Sequence, residues 1–201
     1  MRPHGVGGRL FALAMEWINT PAYRRAAELI RPAPGDRVLE IGFGTGALMA
    51  MLAPRMPGGL LTGIDPSALM VRQARARLER FASAVQVDLR QGTDRDVDSL
   101  EGHFTQIVAL HSFQFWPDPA ATLKRIRTLL SSRGRLLLIL RAHSRRRPPW
   151  LPNPISRSAD EIAGAIEALQ RAGFDRPERL ASVGSSAVIT CGWPPAARRD
   201  G

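Results

Sequence analysis

The chain contains few of the residues that hold disulfide-bonded or metal-stabilised domains together. Cysteine occurs once in 201 residues, as Cys191, and histidine occurs four times. One cysteine excludes an internal disulfide and fits a reducing compartment, and we interpret it as a small buried hydrophobe. The cysteine and histidine spacings that are typical of zinc sites are also missing. We therefore expect a cytoplasmic protein with no bound metal.

Long apolar runs are missing as well. No run approaches the roughly 20 residues that cross a bilayer. The apolar residues 10–15 follow two arginines, as in an export signal, but Glu16 interrupts them. A hydrophobic content of 44% over this length suits one domain with a sizeable core. We predict a single domain, with a helical lid over residues 1–34, a core over 35–194 and a tail over 195–201.

Lysine is almost missing, because Lys124 is the only one and arginine supplies nearly all of a net charge of +10. Basic proteins of this kind often bind nucleic acid or anionic membranes. Four arginines lie along one predicted helix, at Arg72, Arg75, Arg77 and Arg80. We interpret them as a solvated helix face. The run Arg145–Arg147 enters a proline-rich loop, which either grips an acidic substrate, a phosphate or RNA, or is a plain surface loop.

The most informative stretch is 38–46, which reads Val-Leu-Glu-Ile-Gly-Phe-Gly-Thr-Gly. Its apolar residues predict a buried strand, and its alternate glycines let the backbone approach a ligand. The apolar run 47–52 then predicts a helix whose free N–H groups favour a polar or anionic group. The stretch also fits a relaxed dinucleotide fingerprint, with Gly42, Gly44 and Ala47 at the small positions.

The pattern Glu-x-Gly-x-Gly-x-Gly favours another cofactor, since it resembles motif I of the class I S-adenosylmethionine-dependent methyltransferases. The resemblance implies that the glycine loop lies against the methionine part of S-adenosylmethionine and that Glu40 helps to hold its amino group. The implied cofactor contacts here are Glu40, Gly42, Phe43, Gly44, Thr45 and Gly46. A glycine turn in some other α/β domain is the alternative.

Asp65 ends the next predicted strand, 60–65, at one βαβ step from the glycine loop. In dinucleotide and S-adenosylmethionine sites alike, an acid at this strand tip accepts hydrogen bonds from ribose hydroxyls. We therefore predict cofactor contacts at Asp65, Pro66 and Met70. The alternative is that Asp65 caps a helix that continues to Phe81, with Pro66 at the first helical position.

A short third strand is predicted over 84–89, followed by the turn Gly92, Thr93 and Asp94. The related enzymes place such a turn beside the adenine ring, so these three residues are predicted cofactor contacts. Either Thr93 or Asp94 would receive the adenine amino group. A solvated acidic loop is the alternative interpretation of the acids at 94, 96 and 98.

The fourth predicted strand, 106–110, leads into the sequence His-Ser-Phe-Gln-Phe-Trp-Pro-Asp-Pro. This segment resembles the strand-4 region of the small-molecule methyltransferases grouped as type 11 or ubiquinone-biosynthesis-like. Because open α/β sheets bind ligands beyond the carboxyl ends of their strands, it should lie near the transferred methyl group. The predicted cofactor contacts are Leu110 and His111, and the predicted substrate contacts are Ser112, Gln114 and Phe115.

His111 is the candidate catalytic residue of this segment. With a pKa near neutral, it would remove a proton from a hydroxyl or amine as the methyl group arrives. The alternative is a histidine that only packs or bonds to the backbone. Trp116 is interpreted as a core or lip residue in preference to a cation–π partner of the cofactor.

The remaining pattern completes an α/β order of elements. Helices are predicted over 120–130 and, from a capping box at Ser158 and Glu161, up to a cap at Gly173. Between them, Gly134 is predicted to make a turn before a strand at 136–140. A final strand pair is predicted over 179–183 and 187–192. The resemblance covers about 35–194 and implies a Rossmann-like, seven-stranded, mostly parallel sheet with an antiparallel last strand and helices on both faces.

The N-terminal segment predicts a helix over 10–18, a break at Thr20 and Pro21, and a second helix over 22–30. In related enzymes such helices close the substrate pocket, which makes Trp17, Asn19 and Tyr23 predicted lid residues, the first and last of them substrate contacts. A membrane-surface helix and a helix simply packed on the sheet are the alternatives.

We predict an S-adenosylmethionine-dependent methyltransferase that methylates oxygen, nitrogen or carbon of a small molecule and releases S-adenosylhomocysteine. Catalysis would be mostly positional. A phospholipid or RNA methyltransferase that uses the basic surface, and a non-catalytic cofactor-binding partner subunit, are alternatives; a nicotinamide-dependent reductase is a remoter one. The chain would be a monomer or a homodimer.

Overall fold

The computed structural model describes residues 5–143, 156–183 and 186–192. Its centre is a seven-stranded sheet with the strand order β3-β2-β1-β4-β5-β7-β6. The strands are β1 Arg37–Ile41, β2 Leu60–Asp65, β3 Gln86–Gln91, β4 Phe104–Leu110, β5 Leu130–Arg141, β6 Glu178–Val183 and β7 Ser186–Cys191. Five strands pair in parallel, while β7 is antiparallel to both β5 and β6. The predicted fold class is confirmed, including the antiparallel last strand.

Five helices surround this sheet in the described part of the chain. They are α1 Gly5–Ile30, α2 Ala47–Leu52, α3 Ala68–Leu78, α4 Pro119–Leu129 and α5 Ala159–Arg171. The predicted capping box of α5 is present, because the Glu161 amide donates to Ser158 Oγ and the Ser158 amide donates to Glu161 Oε2. Gly173 follows α5 at a φ of 83°, as predicted for a C-terminal cap. None of the described helices combines the length and the apolarity needed to cross a bilayer.

The break predicted at Thr20 and Pro21 was wrong, because α1 is one continuous helix with Pro21 inside it. Proline removes one helical N–H donor, which alone destabilises a helix. Here the Thr20 hydroxyl donates to the Glu16 carbonyl, and the buried residues Ala26 and Ile30 pack against the sheet. Tertiary packing therefore outweighs the local signal.

Two strand boundaries also differ from the prediction. Strand β3 begins two residues later than position 84, and β5 begins at Leu130. Gly134 lies within β5 and is not a turn, which corrects the prediction there. The pairing with β4 advances from Leu130 to Arg135 on β5 but only from Phe104 to Gln106 on β4, so the extra residues form a bulge.

Alternate residues of each strand pack on opposite faces of the sheet. In β1, Val38 faces the layer formed with α1, α2 and α3, whereas Leu39 faces the layer formed with α4 and α5. Cys191 is buried in the second layer, and burial raises the pKa of its thiol to about 12. Its interpretation as a small buried hydrophobe is confirmed. Two buried acids, Glu40 and Asp65, lie at the carboxyl ends of β1 and β2.

Candidate active site

The glycine loop joins β1 to α2 and adopts the tight turn that its sequence predicts. Gly42, Gly44 and Gly46 have φ values of 79°, 54° and 73°, in the left-handed region that favours glycine. A Cβ at Gly42 would lie 2.4 Å from that of Ser112, and one at Gly46 would lie 2.9 Å from that of Ala74. A Cβ at Gly44 would meet no atom within 4 Å. Two of the glycines therefore permit close packing, and the middle one leaves open backbone.

Asp65 at the end of β2 faces this loop. Its Oδ2 accepts a hydrogen bond from the Gly44 amide over 2.8 Å, and its Oδ1 accepts one from the Ser67 amide over 2.9 Å. Burial raises the pKa of Asp65, and these two bonds oppose the increase. Asp65 is not the cap of α3, which corrects that alternative, since Ser67 Oγ accepts from the Met70 amide instead. The carboxylate is thus held rigidly beside the open backbone of the loop.

Glu40 is a buried carboxyl group without a complete set of partners. The residue is 1% exposed, and its Oε2 has no hydrogen-bond partner in the part of the chain that the structure describes. Burial, and then the charge of Asp65, raise the pKa of Glu40 well above its ordinary value. Buried polar atoms are nearly always hydrogen-bonded, so an unpartnered carboxyl oxygen indicates a missing ligand group. A ligand cation such as an ammonium group fits it best, because its charge would compensate the carboxylate.

A cavity of about 290 Å³ lies beyond the carboxyl ends of β1, β2 and β4. Its lining residues are Ile41, Gly42, Ile64, Asp65, Pro66, Gly92, Thr93, Asp94, His111, Ser112, Phe115 and Trp116. The structure therefore brings together predicted contacts from four separate loops. Sequence reasoning missed Ile41 and Ile64, because apolar residues inside a strand pattern give no signal beyond core packing.

Thr93 and Asp94, the two candidate residues in the turn after β3, make different contacts. Thr93 caps a short 3-10 helix, Asp94–Ser99, in a capping box with Asp96. Asp94 is 7% exposed, and its Oδ2 accepts a 2.7 Å hydrogen bond from the Thr122 hydroxyl. The alternative of a solvated acidic loop is therefore wrong for Asp94, although Asp96 and Asp98 are exposed. Asp94 is the acid that is fixed at the cavity wall.

His111 follows β4 with a φ of 54°, in the left-handed region. Its Nε2 lies 3.0 Å from Ser186 Oγ on β7, and its Nδ1 has no hydrogen-bond partner among the described residues. Burial, and then the charge of Arg141, lower the pKa of His111 to about 3. The predicted pKa near neutral was wrong. The imidazole is neutral at physiological pH and is a weak base.

The residues after His111 form the apolar end of the cavity. Trp116 is 7% exposed and packs against Phe113 in a tilted arrangement with ring centroids 5.1 Å apart, which confirms it as a core and lip residue. Phe115 is 62% exposed at the cavity mouth. The side-chain Oε1 of Gln114 is buried and has no hydrogen-bond partner within the described ranges, and the Ser112 hydroxyl donates to the Ile41 carbonyl. The predicted acceptor residues thus lie at one end of the cavity or beside it.

Seven predicted cofactor residues do not line this cavity: Glu40, Phe43, Gly44, Thr45, Gly46, Met70 and Leu110. Phe43 packs against the position of Gly63, and Leu110 belongs to the core layer of α1. Met70 is buried in the first turn of α3, and Thr45 bonds to residues outside the cavity. Their predicted cofactor contacts stay predictions.

The N-terminal helix places its three predicted lid residues differently. Trp17 is 80% exposed and does not line the cavity. Asn19 is buried, and its Oδ1 accepts a hydrogen bond from Arg141. Burial and the charge of Glu40 raise the pKa of Tyr23 to about 12, opposed by a hydrogen bond with Asn19. Tyr23 therefore lies nearer to the buried carboxyl group than to the acceptor end of the cavity.

The prediction of a solvated arginine face on α3 holds for three of its four arginines. Arg72, Arg75 and Arg80 are exposed, as predicted. Arg77 is not part of that solvated face, because it forms an ion pair with Glu16 of α1. No local sequence pattern indicates this ion pair, because the two residues are 61 positions apart in the sequence. The run 145–147 lies outside the described residues.

Comparison with known proteins identifies relatives of this cavity-forming region. A family model described as "Methyltransferase domain" matches residues 39–136. The nocamycin O-methyltransferase of Saccharothrix syringae is 36% identical over 118 residues, which cover 58% of this chain and 41% of that protein. A ubiquinone biosynthesis O-methyltransferase of Pseudomonas aeruginosa is 34% identical over 105 residues, which cover 52% of this chain and 44% of that protein. The matches therefore span less than half the length of these two relatives.

A third relative matches more of the chain. The phosphatidylethanolamine N-methyltransferase of Cereibacter sphaeroides is 29% identical over 153 residues, which cover 76% of this chain and 66% of that protein. Among solved structures, a SAM-dependent methyltransferase from Aquifex aeolicus has a TM-score of 0.69 at 19% identity, covering 84% of this chain and 88% of that one. The magnesium protoporphyrin IX methyltransferase of Synechocystis, solved with SAM bound, has a TM-score of 0.62 at 20% identity. The match covers 87% of this chain and 80% of that one. These structural matches show a shared fold.

Proposed function

Because the chain belongs to the class I S-adenosylmethionine-dependent methyltransferases, we propose that it transfers a methyl group from S-adenosylmethionine to a small-molecule acceptor. Glu40 carries the proposal, because its buried Oε2 has no hydrogen-bond partner among the described residues, and a ligand cation beside it would compensate the charge of the ionised carboxylate. The ammonium of the methionine part has that charge. Asp65 would accept from the ribose hydroxyls, and Asp94 would receive the adenine amino group. The cofactor supplies an electrophilic methyl group when it is bound.

The protein's own contribution is to bind, orient and exclude water. The strand-4 segment forms the wall at which the acceptor would lie, with Trp116 and Phe115 as apolar surfaces. Neutral His111 lines the cavity, and Ser186 holds the ring through Nε2. An imidazole with a pKa of about 3 removes protons poorly, so alignment contributes more to the rate than base catalysis does.

Oxygen is the acceptor atom that we propose, because the first two relatives are O-methyltransferases. The cytoplasm is the proposed location, as the single cysteine fits a reducing compartment. A small molecule needs no further subunit, so we propose a monomer or homodimer, to be checked by size-exclusion chromatography with light scattering.

The test begins with calorimetric titration of S-adenosylmethionine, S-adenosylhomocysteine, NADH and NADPH under identical salt. We expect micromolar binding of the first two ligands only. Transfer of a radioactive methyl group to a panel of phenols, carboxylic acids and amines then identifies the acceptor class. Binding of a nicotinamide nucleotide alone would refute the proposal. Intact cofactor binding without turnover on the whole panel would favour a non-catalytic partner subunit.

A phospholipid acceptor is the second candidate. The phosphatidylethanolamine N-methyltransferase aligns over the largest share of this chain among the three relatives. Trp17 and Ile18 are exposed apolar residues of α1, 80% and 40% exposed, and a net charge of +10 favours an anionic surface. Sedimentation with phosphatidylglycerol vesicles, compared with phosphatidylcholine vesicles, tests the docking. Methyl transfer to phosphatidylethanolamine in those vesicles tests the reaction.

A further inference from the structure

Three side chains from separate segments meet behind the glycine loop. Glu16 comes from α1, Thr45 from the loop and Arg77 from α3; we call this group the Glu16 cluster. Arg77 bonds both carboxylate oxygens of Glu16, over 2.9 and 3.0 Å. The Thr45 hydroxyl donates to Glu16 over 2.6 Å and accepts from Arg77 over 3.2 Å. Each residue therefore contacts both of the others.

The surroundings of this cluster favour a stronger interaction than an ordinary surface pair. The side chains of Arg77 and Glu16 are 26% and 23% exposed, and Thr45 is 7% exposed. The pair Arg25 and Glu28 on α1 has a single 3.2 Å contact and is 37% and 62% exposed. Two-point contacts between charged groups are strong and directional, whereas exposed pairs contribute little.

Thr45 connects the cluster to the loop backbone. It stands between Gly44 and Gly46, which carry no side chain that could fix the turn. Its side chain is directed to the cluster and does not line the cavity. The amide of the preceding Gly44 donates to Asp65 Oδ2. A continuous series of contacts therefore joins α1 to the carboxylate that faces the cavity.

We propose that Glu16 and Arg77 are positioning residues for cofactor binding, which hold Thr45 and thereby keep Gly44 and Asp65 in the arrangement that the nucleoside requires. This inference rests on the proposed function. Glu16 lies outside the matched range 39–136. The N-terminal helix thus adds to the cofactor site a support that the matched domain does not contain.

The test compares variants by calorimetric titration with S-adenosylhomocysteine. Glu16→Gln removes the charge at constant volume, and we expect the Kd to rise about tenfold, because a charge-assisted contact to the loop is lost. The KM for S-adenosylmethionine should rise by a similar factor, while kcat at saturating cofactor stays within about twofold. The exchanged double variant E16R/R77E restores the pair and should recover most of the affinity. Arg72→Gln on α3 and Glu28→Gln on α1 are matched controls that leave the Kd unchanged.

The outcomes separate the inference from the proposed function. A wild-type protein that binds neither S-adenosylmethionine nor S-adenosylhomocysteine refutes the proposed function itself. A wild-type protein that binds them, with an unchanged Kd in folded Glu16→Gln, overturns the inference alone. A lower kcat with an unchanged KM also overturns it. If Glu16→Gln does not fold, Thr45→Ser and Thr45→Val replace it: the hydroxyl of serine should preserve the Kd, and equal Kd values for the two variants would overturn the inference.

Discussion

The Nε2 atom of His111 lies 3.0 Å from the hydroxyl oxygen of Ser186, so the strand-4 segment is tied to the antiparallel strand β7. Ser186 is also the register partner of Arg141 on β5. The positive charge of Arg141 opposes protonation of the ring. The contact with Ser186 therefore fixes the orientation of the imidazole, and burial together with the charge of Arg141 keeps it neutral.

A pH dependence of stability follows from this histidine. In the folded protein its pKa is about 3, against 6.5 for the ordinary residue, so the unfolded state binds more protons between these values. His111 stabilises the fold above pH 6.5 and loses that contribution as the pH falls toward 3. We expect the Tm of wild type to fall more steeply over this window than the Tm of His111→Gln. Parallel Tm curves would contradict the shifted pKa. The rate of methyl transfer between about pH 6 and 9 should carry no inflection from His111.

Glu40 should couple cofactor binding to proton release. Its pKa is raised well above the ordinary value, so below that pKa the carboxyl group holds a proton, which an arriving ammonium displaces. Titrations at a series of pH values above 4.5, each in two buffers of different ionisation enthalpy, should show proton release for wild type. Glu40→Gln should bind more weakly and release none. Equal proton release in both proteins would mean that another group titrates.

The same carboxyl group affects the stability of the cofactor-free protein in the opposite direction to His111. Because its folded pKa is raised, its contribution is complete below the ordinary value of 4.5 and is lost as the pH rises through the raised value. We expect the Tm of Glu40→Gln to fall less than the Tm of wild type as the pH rises above 4.5. The exposed Glu28→Gln is the control, with the wild-type slope.

Asp65→Ala should weaken cofactor binding by about 1–3 kcal/mol, because ribose hydroxyls and the Gly44 amide lose an acceptor. Titration with S-adenosylhomocysteine measures the change. Asp88→Ala is the control on the neighbouring strand, since that carboxylate is exposed and pairs with Arg90. An unchanged affinity in folded Asp65→Ala would exclude the ribose contact.

Two glycines of the loop should respond differently to alanine. At Gly46, a Cβ would lie 2.9 Å from that of Ala74 and φ is 73°, so Gly46→Ala should destabilise the fold by about 1–3 kcal/mol. At Gly44, φ is 54° and alanine is strained as well, but its Cβ would meet no atom of the described residues within 4 Å and would project into open space. Gly44→Ala should therefore lose more in cofactor affinity than in stability. Thermal unfolding and titration on both variants separate the two effects, and the reverse order would contradict them.

Local signals predicted much of this molecule. The glycine loop, the acid at the end of β2 and the capping box at Ser158 each depend on residues within a few positions of one another. The seven-stranded, mostly parallel sheet with an antiparallel last strand followed from the family resemblance. These are the features for which chain connectivity brings the interacting groups together.

Long-range contacts decided the features that the sequence did not predict. Pro21 reads as a helix breaker, but packing of α1 on the sheet outweighs it. The sequence predicted His111 to be a base with a pKa near neutral, but its pKa depends on burial and on Arg141 of another strand. Arg77 reads as a solvated cation, yet its partner Glu16 is 61 residues away. No pattern within one element contains such information.

The strand order has a consequence for synthesis on the ribosome. Strand β6 is made before β7 but pairs in the sheet only with β7, which lies between it and β5. A nascent chain that has not yet passed residue 186 therefore carries β6 as an unpaired edge. The same late strand delivers the hydroxyl that orients His111. Strand β7 must therefore be synthesised before the sheet can hold His111 in this orientation.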